Sequence, residues 1–100
     1  MAEPSSFMKH YQAHDPDLVE LVEKVRAFVY APGALDAKTK LLIAMALDAQ
    51  ANHPNGVTSI ANQARAAGAT EDEIKETLRV TYEMAAMQAL VTQIGAFREP

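Results

Sequence analysis

The chain contains no cysteine and no tryptophan. Without cysteine there are no disulfides, no thiolate nucleophiles and no thiolate metal ligands. Aromatic residues make up only 6% and glycine only four positions. Basic residues never cluster: Lys9, Lys24, Arg26, Lys38, Lys40, Arg65, Lys75, Arg79 and Arg98 are spread thinly, and the net charge is −4. Binding of nucleic acid through phosphate neutralisation is therefore not expected. No apolar run approaches the ~20 residues that a membrane span needs. The N-terminus lacks the basic-then-apolar layout of a signal peptide. A soluble cytoplasmic protein is the expectation, with no membrane partner.

What is present is apolar and small. The hydrophobic fraction is 49% and the charged fraction 22%, a balance that favours folding over disorder. Much of the apolar content is alanine and methionine, which suits closely packed helices. One hundred residues make one domain, expected over 1–100 with its core at about 15–97. A domain of this size cannot hide so much apolar surface alone, so association with further copies is expected.

The chain reads as helices throughout, and no alternating strand pattern is present. Ser5 or Ser6 can cap a short helix through Phe7, Met8 and Tyr11. Asp15-Pro16 opens the next, a capping side chain followed by proline at the first helical position. Leu18, Leu21, Val22, Val25, Phe28 and Val29 recur at helical spacing until Ala31-Pro32-Gly33 stops them. Asp36 caps a third helix containing Leu42, Met45, Ala46 and Ala49 on one face. Asn52-His53-Pro54-Asn55-Gly56 reads as a turn. A helix follows through Val57, Ile60, Ala61, Ala64 and Ala67, ended by Gly68. Thr70-Glu71-Asp72-Glu73 has the form of a capping box, with acids suited to the positive end of the helix dipole. Ile74, Leu78, Thr81, Tyr82 and Ala85 continue that helix, a break near Glu83–Met87 divides it, and Gly95 loosens the last turn. The expected fold class is all-α, a single-domain bundle of five to six helices.

Three segments in this order, Leu35-Asp36-Ala37-Lys38-Thr39-Lys40, Ala66-Ala67-Gly68-Ala69-Thr70 and Glu73-Ile74, carry a family resemblance. Over roughly residues 15–97 the chain resembles the carboxymuconolactone decarboxylase family, which includes the alkylhydroperoxidase-like proteins. The resemblance implies an alkylhydroperoxidase-like fold and an oligomer, a trimer or hexamer. Redox members carry Cys-x-x-Cys-x-x-x-His at the start of the helix before the glycine, with a glutamate on the preceding helix. A helix N-terminus lowers a thiol pKa, and the glutamate and histidine relay protons. Counting back from Gly68, the cysteine positions fall at His53 and Gly56, the histidine at Ile60 and the glutamate at Leu41. Lactone decarboxylases carry glutamate and histidine where this chain has Gly56 and Ile60. The resemblance thus implies the fold and argues against both activities.

The remaining candidates are polar residues around that same helix start. His53 can act as donor or general acid, with Asn52, Asn55, Gly56, Thr58 and Ser59 helping to hold a small anionic ligand at free helix amides. The plainer reading is an ordinary surface turn. Asp48 shares a helix stripe with Leu41 and Asn52 and can enter the site, or can be a solvated acid near a helix end. Glu83, among Thr81, Tyr82, Met84 and Met87, is a possible buried acid, although such a residue more often pairs with arginine or faces water. Met45, Met84 and Met87 read first as core filling. His10 and His14 have metal-binding spacing but no third ligand, so no metal and no cofactor are expected. Two function classes follow: an oligomeric scaffold or anion-binding protein, and an enzyme using His53 with Asp48 or Glu83.

Overall fold

A computed structural model of the protein describes residues 6–98. It contains α1 (Ser6–His14), α2 (Pro16–Tyr30), α3 (Ala37–Gln50), α4 (Pro54–Ala66) and α5 (Glu71–Thr92), followed by a closing 3-10 turn, Gln93–Ala96. No strand occurs among the described residues. Of the two caps considered for the first helix, Ser5 lies outside them.

The chain divides into two compact units, one up to residue 37 and the other from residue 38 onward. In the first, Asp15 opens α2: its Oδ1 accepts from the Leu18 amide at 3.2 Å, and Pro16 occupies the first helical position. Met8 of α1 and Val19 of α2 are buried. A groove of about 220 Å³ runs between the helices, walled by Phe7, Met8, Tyr11, Leu18, Val19, Val22 and Arg26. Of the expected apolar stripe on α2, Leu18 and Val22 wall this groove, whereas Leu21, Val25 and Val29 are exposed and Phe28 is 84% exposed. Length explains this. At ~1.5 Å per residue, the nine-residue α1 is shorter than the fifteen-residue α2.

The second unit has its core at Met45 of α3, Ala61 of α4 and Ile74 of α5. Leu42, Val57, Ile60 and Ala69 pack against it. Met45 and Ala64 are fully buried. Met84 and Met87 are exposed, which corrects their reading as core.

Two further expectations are corrected. Helix α4 starts at Pro54, inside the segment read as turn, because proline is preorganised for a first helical position. Helix α5 runs unbroken for 22 residues. The proposed breakpoint, Glu83-Met84-Ala85-Ala86-Met87, consists of strong helix formers. Upstream, Thr77 and Thr81 turn their hydroxyls onto the carbonyls four residues earlier, at 2.8 and 3.0 Å.

Candidate functional site

The candidate site is built on the connection from α3 to α4. Asn52 adopts a left-handed backbone, φ 62°, which asparagine tolerates better than most residues. The Asn52 amide donates to the Ala49 carbonyl at 3.1 Å, and the His53 amide donates to the Asp48 carbonyl at 3.0 Å. These two bonds form a Schellman closure. It folds His53 back onto the last turn of α3, beside Asp48.

The side chains follow the backbone. His53 Nδ1 lies 3.2 Å from Asp48 Oδ1. The Asp48 side chain is 25% exposed and that of His53 66%. His53 is the N-cap of α4 but makes no side-chain cap bond. Instead the Asp48 carboxylate reaches the first turn of α4 from outside. A Cβ on Gly56 would collide with Asp48 Oδ2, and Asp48 Cγ would be only 2.9 Å away. Its negative charge therefore stands near the positive end of the α4 dipole.

The other candidates are placed differently. Thr58 Oγ1 donates to the Pro54 carbonyl at 3.2 Å, and Ser59 Oγ accepts from Gln63 Nε2 at 3.4 Å. Both hydroxyls are thus engaged within α4. Asn52 and Asn55 are exposed. Glu83 is exposed on α5 and, among the described residues, makes no bond to His53 or Asp48; it faces water. Ile60, at the redox histidine position, packs against the core. Among the described residues no group of three or more potential ligands gathers to hold a metal.

A second polar cluster joins helix starts and ends. Lys38 Nζ lies 2.8 Å from Glu73 Oε2. Glu73 Oε1 accepts from the Thr70 amide at 2.8 Å, and Thr70 Oγ1 accepts from the Glu73 amide at 3.1 Å. The Lys38 ammonium, then the Thr70 amide, hold the Glu73 carboxyl below its ordinary range. Arg65 grips Glu71 through two bonds of 2.6 and 3.1 Å, which lowers the Glu71 pKa and raises that of Arg65. The capping box was legible in sequence. The Lys38 partner was not, because the two residues are 35 positions apart and no local spacing marks them.

An all-α chain with a helix, a short turn, a second helix ending in glycine and a boxed third helix defines a class. The sequence model of the carboxymuconolactone decarboxylase family matches residues 16–99, and the chain belongs to that family. A family member from Legionella pneumophila, solved as an apo crystal structure, is similar: 28% identical, covering 85% of this chain and 80% of its own, with a TM-score of 0.74. No curated protein matches.

Proposed function

We propose that this chain is a thiol-free enzyme of its family in which Asp48 and His53 form the acid–base pair. The observation that carries the reading is the 3.2 Å contact between Asp48 Oδ1 and His53 Nδ1. A carboxylate on one imidazole nitrogen orients the ring and favours one tautomer, leaving the other nitrogen to move a proton. The ring is two-thirds exposed, and Nε2 has no side-chain partner among the described residues. A small lactone or related carbonyl compound is the proposed substrate class: the lactone ring follows the family name, but the Asp48 charge favours one without the carboxylates of the compound in that name. Glu83 stands apart from the pair and is left out of this reading.

The anion-binding alternative is weaker, because Asp48 already places negative charge at the start of α4. A neutral substrate fits that electrostatics better. Self-association belongs to the same proposal. Met84, Met87, Leu90, Val91, Ile94 and Phe97 are all exposed along the second half of α5, the closing turn and the residue after it, and exposed apolar residues gathered in one segment fit an interface. A trimer or hexamer should appear in size-exclusion chromatography with light scattering as a multiple of 10.9 kDa; a monomer at micromolar concentration counts against it. A cytoplasmic location completes the proposal. Among the described residues no helix is long and apolar enough to cross a membrane.

The test uses α-angelica lactone, a neutral butenolide. Its isomerisation removes a proton from one carbon and returns one to another, and is followed by absorbance. The pure protein should accelerate it, and His53→Ala should lower the rate by roughly 10²- to 10⁴-fold with helicity unchanged. No acceleration, or a rate that survives the substitution, contradicts the proposal.

A further inference from the structure

The four glycines of the chain are not equivalent. Gly68 has φ 103°, a backbone that side chains rarely adopt. A Cβ on Gly33 or Gly95 would meet nothing within 4 Å. Gly56 alone is faced by another side chain, the carboxylate of Asp48. Its φ is not positive, so backbone conformation does not require glycine there. A glycine inside a helix is destabilising relative to alanine, so something else accounts for it. Gly56 stands at the third helical position of α4, where α5 carries Glu73. In α5 the first-turn carboxylate bonded to its cap is local. In α4 the carboxylate arrives from the preceding helix, into space that any side chain at position 56 would fill.

We infer that Gly56 is the positioning residue of the Asp48–His53 pair: its missing side chain is the seat that holds the Asp48 carboxylate against the His53 ring. The inference rests on the reading of Asp48 and His53 as the reactive pair. The blocked atoms belong to the end of a rotatable side chain, not to backbone. An added methyl group therefore displaces Asp48 rather than disrupting the fold. Position 56 and the carboxylate exclude one another.

The test reads the imidazole directly by ¹⁵N NMR of the full chain at alkaline pH, where a neutral ring reports which nitrogen holds its proton. Wild type should show the Nδ1–H form enforced by the carboxylate. Asp48→Ala should revert to the mixture of a free imidazole. Gly56→Ala should match Asp48→Ala, and adding Gly56→Ala to Asp48→Ala should change nothing further. Circular dichroism should show wild-type helicity in all three. If Gly56→Ala keeps the wild-type pattern, the positioning role is wrong while the pair stands. If wild type itself shows the free-imidazole mixture, the pair reading and the inference fall together. A Gly56→Ala chain that loses its helicity overturns the claim that position 56 acts only through Asp48.

Discussion

The turns before α4 and before α5 share one backbone device and use it to opposite ends. Each closes its preceding helix with a Schellman pair. Ala69 N to Ala64 O at 2.9 Å and Gly68 N to Arg65 O at 3.0 Å repeat the bonds around Asn52 and His53. The first turn is one residue shorter, so His53 both closes α3 and opens α4. At the second turn the residue before the cap is Ala69, packed on the same core as Ile74, a hydrophobic staple. Its cap is Thr70, with a complete box to Glu73. At the first turn the matching positions hold Asn52, His53 and Gly56, with neither staple nor box. Stabilising contacts concentrate at one turn, and the other carries an exposed histidine with its carboxylate. A site that must meet a substrate is drawn from the less stabilised end of a fold.

The largest effect that can break this contrast is in the core beneath the second turn. Ile74→Ala should cost about 2–5 kcal/mol in urea unfolding. His53→Ala should stay within about 0.5 kcal/mol of wild type. Comparable losses would mean that both turns are structural. Next come the left-handed residues. Gly68→Ala should destabilise by roughly 1–2 kcal/mol, whereas Asn52→Gly should be tolerated, since glycine accepts φ 62° more readily than asparagine. Thr70→Ala should lose about 1 kcal/mol, read as a lower melting temperature.

The smallest effect sharpens the contrast through pH. The Glu73 carboxyl is held below its ordinary value in the folded chain. Its stabilising contribution is therefore present above the unfolded carboxylate range and is lost as pH falls through the lower folded value. Glu73→Gln should flatten stability against pH in that acidic window. An unchanged acid slope would show that the Lys38–Glu73 pair adds nothing measurable.

The second turn was the more legible of the two in the sequence. As caps, Thr70, Glu73 and Gly68 act through partners within a few residues, and Asp15-Pro16 does the same for α2. The candidate residues at the first turn were named too, but not their arrangement. Gly56 sits among turn-forming residues, so in sequence it reads as part of a turn and as a candidate ligand contact, not as the seat of a carboxylate. Only the fold shows that it faces Asp48, eight positions earlier, from another helix. The continuity of α5 was missed because the expected break rested on no helix breaker. The uncovered face of α2 was missed because periodicity reports which side is apolar and not what covers it.

The central claim is that the carboxylate of Asp48 acts through His53. It is tested most directly by the isomerisation rate of Asp48→Asn, which keeps the shape of the side chain and removes its charge. The account predicts a large fall in kcat with helicity unchanged, and at most the small loss of stability that removing a charge from a helix start brings, about 0.3–1 kcal/mol. A variant that turns over as fast as wild type would contradict it.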